Sequence, residues 1–432
     1  ANAGVTLTDA PGNTDTVSLN NNFDVHICYS WTSTSYNMLQ SCSGSHYLAN
    51  TASRTKNNGN GGSITEYGYY TAIPNNMRNQ AILVDTPFTY TSTSGADFSN
   101  SFVMFSGFYN QQYSQFMAVY PYQSTIKMDD TDAVAIGQDG KNTQFYTLGW
   151  SGSYDYGNYD INNSRLINIG TIGSGRGYYN RNPTMHITNN TFVSYSKQEN
   201  VQSVYNYDVC HSSAGAQAQG KWIVDNNTFY DCTVAVMIWG GYYTTGYGGL
   251  GTVGARWSNN TVYDSVYLPF WSYLSANAHD LVVDNNTITG TKRTGYGIYS
   301  QGQTTFEMII KNNVIYTADE PIYMRNARHW EIEGNTIYGD ANPSHSGIYV
   351  LNGWGNIDGN TLIDSDGGIN VYGVRSGYDV EMHDNTIRTS GGRISPVATG
   401  IYVENCGLAD VTMSGNDVTT TSNALVSDGC DI

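Results

Sequence analysis

An all-β solenoid is the fold class this sequence predicts, and three observations predict it: a recurring phrase, period-two alternation inside it, and a spacing with a floor. The phrase is an apolar residue, an asparagine three positions later, and a second apolar residue two beyond that. Its asparagines are Asn190, Asn227, Asn260, Asn286, Asn313, Asn335, Asn360, Asn385 and Asn416. The residues three before them run Ile187, Val224, Trp257, Val283, Ile310, Ile332, Ile357, Met382 and Met413, and those two after run from Phe192 and Phe229 to Ile387 and Val418. Residues two before are mostly polar, as at Asp225, Ser258, Asp284, Lys311 and Glu333. That is the alternation of a half-buried strand and excludes helical repeats. The gaps range from 22 residues, Asn313 to Asn335, up to 37, Asn190 to Asn227, as expected for one coil per repeat with inserted loops.

A second strand in the later coils reads as small residue, isoleucine, tyrosine: Gly297-Ile298-Tyr299, Pro321-Ile322-Tyr323, Gly347-Ile348-Tyr349 and Gly400-Ile401-Tyr402, with Gly368-Ile369-Asn370 as a variant. Alternation puts the isoleucine inside and the tyrosine outside. Stacked coils bring equivalent asparagines to about 4.8 Å, so their amides can bond along the stack at a tight bend. Over roughly residues 160–432 this pattern resembles the asparagine ladder of the pectin-lyase-like superfamily. The resemblance implies a right-handed parallel β-helix and, among its enzymes, polysaccharide lyases. Pectin hydrolases of that superfamily carry Asn-Thr-Asp, Asp-Asp, His-Gly and Arg-Ile-Lys segments in order; here Asp129-Asp130 stands alone and Asn13-Thr14-Asp15 lies outside the repeats.

Residues 1–125 lack the phrase and are expected to form an N-terminal β-rich cap or small domain, with the β-helix over 126–432. A cap is needed because an open solenoid end exposes unpaired strand edges.

Glycine (47), tyrosine (36) and a charged fraction of only 13% suit strands and turns. The net charge of −17 argues against nucleic acid or anionic lipid as partner. No apolar run reaches the roughly 20 residues of a membrane span. A start at Ala1 suggests a processed export product, so a secreted or cell-surface location is expected. The six cysteines fall as three near pairs, Cys28 with Cys42, Cys210 with Cys232, and Cys406 with Cys430, in keeping with that compartment. The last pair has a geometric argument. Ile401 to Cys406 aligns with Leu425 to Cys430 at an offset of one coil, which stacks the two cysteines within disulfide range. Sequons at Asn162, Asn189, Asn226, Asn259 and Asn285 are candidate glycosylation sites.

Candidate binding residues form an outward tyrosine stripe, Tyr299, Tyr323, Tyr349, Tyr372 and Tyr402, continued by Trp239 and Trp271. Aromatic faces at a regular rise suit sugar stacking, while Tyr is equally a favoured strand residue that stacks without a ligand. Basic residues gather near the same strand: Lys292, Arg293, Arg325, Arg328, His329, His345, Arg375, Arg388 and Arg393. Arg325, Arg328, His329 and Arg375 would be the catalytic set of a lyase, recognising uronate carboxylates and supplying a base; pairing with acids of adjacent coils is the alternative. Glu333 and Asp358 are stack equivalents at a hydrolase-like separation, as any two acids in such a row would be. Asp129, Asp130 and Asp132 are candidate calcium ligands, the one cofactor the sequence suggests.

These readings converge on a secreted or cell-surface structural or adhesive protein, a subunit of a filament, layer or coat that associates with itself, with other surface proteins or with polysaccharide. A polysaccharide lyase, or a glycan-binding module, acting through the Ile-Tyr strand is the alternative.

Overall fold

The computed structural model describes residues 3–8, 14–19, 24–28, 51–57, 63–69, 80–85, 90–92, 96–100, 102–107, 119–121, 125–137, 158–167, 185–193, 209–215, 222–230, 232, 234–240, 254–263, 268–274, 281–289, 296–317, 320–339, 346–364, 367–374, 377–388, 399–407, 409–420, 423–430 and 432. Regular structure among them is all strand, and no helix is long and apolar enough to cross a membrane. The chain comprises two compact units, residues 1–178 with 183–213, and residues 179–182 with 214–432.

In the first unit, Asp24–Cys28, Gln80–Asp85, Phe102–Gly107, Asp132–Gly137, Arg165–Ile167 and Thr191–Val193 pair in parallel in that order. Phe102–Gly107 pairs with Asp132–Gly137 along its whole length, so the strands on either side of residue 125 share a sheet. A second parallel set holds Ala96–Asp97, Thr125–Asp129, Asn158–Asn162 and Met185–Thr188. Two antiparallel hairpins, Ala3–Thr8 with Thr14–Leu19 and Thr51–Asn57 with Ser63–Tyr69, belong to the same unit.

The bend between the parallel sets shows rungs that the asparagine phrase misses. The Thr131 N–H donates to Ser164 Oγ (3.1 Å), the Ser164 N–H to Asn190 Oδ1 (2.9 Å), and Asn190 Nδ2 to the Ile161 carbonyl (2.7 Å). Thr131 and Ser164 therefore occupy the ladder position with a shorter side chain, between the buried flanks Met128 and Ala133, and Ile161 and Leu166.

The second unit has three strands per coil. One parallel sheet includes Trp222–Asp225, Ala255–Ser258, Leu281–Asp284, Val380–His383 and Val411–Ser414. A second is built of short strands from Thr228–Tyr230 and Thr261–Tyr263 to Thr386–Arg388 and Asp417–Thr419. The third holds the isoleucine-tyrosine strands. In three coils it runs without interruption into the first sheet, as Ile298–Lys311, Ile322–Glu333 and Ser346–Asp358.

Alternation holds where it was expected. Ile298, Ile322, Ile348, Ile369 and Ile401 align in the core, each at 3% exposure or less, as do Ile288, Ile315, Ile337, Leu362 and Ile387 opposite. Fully burying one such side chain contributes about 1.5–3 kcal/mol. Between the first and second sheets the asparagines from Asn227 to Asn385 are buried and form the ladder. Asn335 shows the pattern: its Oδ1 accepts the Asn313 N–H (3.0 Å) and Asn313 Nδ2 (2.9 Å). Its Nδ2 donates to the Ile310 carbonyl and to Asn360 Oδ1, both at 2.9 Å. Each rung thus satisfies a backbone N–H and a carbonyl that a sharp bend would leave buried and unpaired.

Cys406 and Cys430 are joined, with Cα atoms 5.0 Å apart, as the 24-residue offset predicts. Cys232 is also disulfide-bonded, and its expected partner Cys210, like Cys28 and Cys42, lies outside the described side chains.

Candidate functional site: the tyrosine ladder

The outward side of the isoleucine-tyrosine strand carries five tyrosine rings in one stack. Centroid separations are 4.9 Å for Tyr299–Tyr323, 5.0 Å for Tyr323–Tyr349, 5.1 Å for Tyr349–Tyr372 and 5.2 Å for Tyr372–Tyr402. The first two pairs are parallel within 4°, and the last two are tilted by 30° and 39°. The tilt has a cause in the register. Tyr299, Tyr323 and Tyr349 are true cross-strand equivalents, but the next residue in that row is Asn370, followed by Tyr402. Tyr372 belongs to the neighbouring row, opposite Leu351, and its ring leans back over the Asn370 position. Asn370 is accordingly buried at 1% exposure although it stands in the outward row.

Two expectations for this stripe need correction. Trp271 is in register with Tyr299 but is only 5% exposed, so its ring is not offered at the surface. Trp239 is opposite Tyr273, two positions beyond the Trp271 row, because Met237 is the residue in register with Trp271. The misplacement of Trp239 comes from fixing register on a tryptophan where the isoleucine-tyrosine phrase is missing.

Stacking also changes what the stripe can offer. Rings lying on one another use their faces within the stack, leaving edges and hydroxyls for a partner. Tyr299 donates to Gln301 Oε1 (2.8 Å), and Tyr402 to Glu404 Oε2 (2.8 Å). Burial, then the Tyr323 and Tyr372 phenols and Glu320, push the Tyr349 phenol up to about 12, against the opposing charge of Arg325. Tyr402 is likewise pushed to about 12, chiefly by its bond to Glu404. Tyr323 is raised by burial and Glu320, and Tyr372 by burial, Glu404 and Glu320. These four phenols are therefore proton-bearing donors at neutral pH, poorly suited to act as bases there.

Residues 272–432 match the protein family described as "Right handed beta helix region". That span is a right-handed β-helix. No curated protein matches the chain. A solved structure titled "a new PL6 alginate lyase complex with trisaccharide" is similar over 79% of this chain and 80% of its own, at 11% identity and a TM-score of 0.37, a level that carries no argument about activity.

Of the basic residues singled out in the sequence, Arg325, Arg328, His329 and Arg388 are among the described residues of the β-helix. Arg325 is exposed and sits beside the Tyr323 and Tyr349 phenols, whose ionisation its charge favours. Arg328 is exposed beyond the left-handed bend at Asn326. His329 is in tilted ring contact with Trp354 (4.2 Å), which in turn stacks on Tyr378 (5.1 Å). Arg388 is engaged with Asp417, on the short-strand sheet. Lys292, Arg293, His345, Arg375 and Arg393 lie outside the described residues.

The three aspartates proposed for calcium do not converge. Asp129 Oδ1 accepts from Asn163 Nδ2 (2.8 Å), Asp132 pairs with Arg165 (3.0 Å), and Asp130 forms the left-handed bend between them. No group of three or more His, Cys, Asp or Glu among the described residues is arranged to hold a metal ion. Of the sequon asparagines, Asn189, Asn226, Asn259 and Asn285 are exposed in left-handed conformation. Asn162 is half-buried, with its Nδ2 on Asp160 Oδ1 (2.6 Å).

Two features went unread in the sequence. The short-strand sheet carries a second set of tyrosines, Tyr230 stacked on Tyr263 (5.0 Å) and Tyr316 on Tyr338 (4.4 Å), with Tyr230, Tyr263 and Tyr316 at 39–41% exposure. Each stands three residues after a ladder asparagine, a signal present in the sequence. On the first sheet, Ser414 Oγ is 2.7 Å from His383 Nδ1, and His383 Nε2 is 3.7 Å from Glu381 Oε2. Ser414 and His383 are cross-strand neighbours, and polar pairs of this kind stabilise a sheet in their own right.

Proposed function

We propose that this is a structural or adhesive β-helix protein of an extracellular or cell-surface setting, and that the tyrosine ladder is its contact stripe for an extended partner. One observation carries the reading: five rings repeat along the stack at 4.9–5.2 Å, a linear array of phenol edges. A repeating row of this kind suits a partner that itself repeats, such as a polysaccharide or a second β-helix, because each coil adds a weak contact to the same line. The protonated hydroxyls are donors for it, and the excess of acidic residues keeps such a protein soluble between contacts.

A polysaccharide lyase remains the second reading, on the specific ground that exposed Arg325 lies beside the Tyr323 and Tyr349 phenols, where a uronate carboxylate could meet a guanidinium.

Electron microscopy at high protein concentration, combined with co-sedimentation on neutral and acidic polysaccharides, tests the first reading. Ordered assemblies or polymer-bound protein, weakened when Tyr323 and Tyr349 are both changed to Ser, are the expected result. Monomers that bind no polymer, together with release of unsaturated uronate products and its loss in Arg325→Ala, would replace the structural reading with the lyase.

A further inference from the structure

The ladder is nearly uniform in ring spacing but not in chemistry. At Tyr402 the hydroxyl already donates to a carboxylate, Glu404 Oε2 at 2.8 Å, while the other Glu404 oxygen accepts Asn405 Nδ2 at 3.0 Å. At Tyr299 the acceptor is the neutral amide oxygen of Gln301. Tyr402 is also in ring contact with the stack, 5.2 Å from Tyr372.

We infer that Tyr402 is an oxidative modification site, the residue at which one-electron oxidation anywhere in the ladder comes to rest and from which tyrosine–tyrosine cross-links form. Removing an electron from a phenol makes its hydroxyl strongly acidic, so the radical is stable only where the proton can leave. Glu404 is in place to take it along an existing charge-assisted hydrogen bond. A one-electron outer-sphere oxidant accepts the electron and is reduced; the Tyr402 O–H bond breaks, its proton passes to the Glu404 carboxylate, and a neutral phenoxyl radical remains. If the electron is first lost from Tyr323, Tyr349 or Tyr372, neighbouring rings about 5 Å apart pass electrons toward the vacancy until it resides at Tyr402. Glu404 then returns its proton to water. Two such radicals on two copies of the chain join ortho carbon to ortho carbon. When aromaticity returns, each ring loses the hydrogen of that carbon as a proton and its oxygen takes a proton back from water to restore the phenol, so each chain has given up one electron and one hydrogen nucleus in all.

This inference is independent of any polymer partner and is separable from the proposed function, because its readout is a covalent map of the isolated protein. The competing expectation is that exposure alone decides. Tyr230, Tyr263 and Tyr316, at 39–41% exposure, would then react ahead of the half-buried Tyr402.

The experiment is brief illumination of the full chain with a trisbipyridylruthenium(II) complex and persulfate, followed by peptide mass spectrometry, dityrosine fluorescence and a denaturing gel. We expect covalent dimers whose cross-linked peptides carry Tyr402 several-fold more often than Tyr230, Tyr263 or Tyr316. Tyr402→Phe should remove those peptides. Glu404→Gln, which keeps the shape but removes the carboxylate, should cut the Tyr402 share several-fold at an unchanged circular dichroism spectrum. A wild-type map that follows exposure, or a Tyr402 share unchanged by Glu404→Gln in folded protein, overturns the inference. The wild-type map alone decides between the two expectations if either variant fails to fold.

Discussion

Among the described residues of the second unit the coils turn through left-handed backbone at two kinds of bend, and the two solve that turn differently. The first uses Asn226, Asn259, Asn285, Asn312, Gly334, Gly359, Asp384 and Gly415 at φ of 54–66°, each followed by a ladder asparagine. The second uses Asn326, Asn352, Gly373, Asn405 and Gly429 at φ of 59–68°, followed by Ala327, Gly353, Val374, Cys406 and Cys430. Both tolerate Asn or Gly at the left-handed residue, as sterics require. They differ in what comes next. At the first bend the chain breaks its sheet and starts a short strand, so backbone groups would be stranded inside without the asparagine side chain. At the second, Ile322–Glu333 and Ser346–Asp358 pass through as continuous strands. Their ladder shifts register at the bend, between Arg325 and His329, and resumes beyond it, and the side chain that follows the bend can be apolar or absent. A buried polar residue is used where the backbone demands one.

The largest effect follows from that contrast. Asn335→Ala removes two donated and two accepted hydrogen bonds from a site with no exposure, leaving the Asn313 N–H and the Ile310 carbonyl without this partner. Unsatisfied buried groups cost about 1–3 kcal/mol each, so a loss of about 3–5 kcal/mol is expected. Asn352→Ala loses one exposed bond, to Asn326 Oδ1 (2.8 Å), and places alanine in the left-handed region at a cost of about 1–2 kcal/mol. Thermal or urea unfolding of the two variants side by side checks the order; equal losses would mean the buried ladder is not what holds the first bend.

Reduction of Cys406–Cys430 comes next. These cysteines follow the second bend in the last two coils, at the position where Ala327 and Val374 simply pack inward. Closing a loop of this length is worth about 3 kcal/mol in the chain-entropy account. Because Leu425 is 47% exposed, the final strand gains little from burial, and the loss should be local. Hydrogen exchange under reducing conditions is expected to accelerate in Leu425–Asp428 and Ile401–Glu404 while Ile322–Glu333 stays protected. Uniform acceleration would show that the bridge stabilises the whole unit instead.

The first bend was legible in the sequence because it is built from a rare requirement, a buried polar residue between apolar ones, which composition alone does not produce. Thr131 and Ser164 escaped because the same requirement is met there by a hydroxyl, which reads as an ordinary turn residue. The second bend was not legible, since its position asks only for Asn or Gly and its follower only for bulk. The tyrosine row could be read from Tyr299, Tyr323, Tyr349 and Tyr402, whose register the isoleucine fixes. Tyr372 was found for the wrong reason: its backbone lies in another row, and only packing over Asn370 brings the ring into line. Long-range direction of side chains, as for Arg325 and Arg328 on either side of Asn326, is set by bend geometry that no local pattern encodes.

The smallest expected effect tests whether the second bend is indifferent to its side chain. Gly373 has φ of +67°, and a Cβ there would meet Asn352 Oδ1 at 2.5 Å. That oxygen ends a flexible exposed side chain, so it can move aside, and asparagine is the L-residue that best tolerates this backbone. Gly373→Asn would also place an amide between those of Asn352 and Asn405. The reduced freedom of the unfolded chain favours the variant by about 0.4–1 kcal/mol, against a left-handed penalty of similar size. The melting temperature should therefore stay nearly unchanged. A loss like that of Asn335→Ala would show that the second bend, too, is closed by a fitted interior, and the distinction between the bends would have to be drawn from their strands alone.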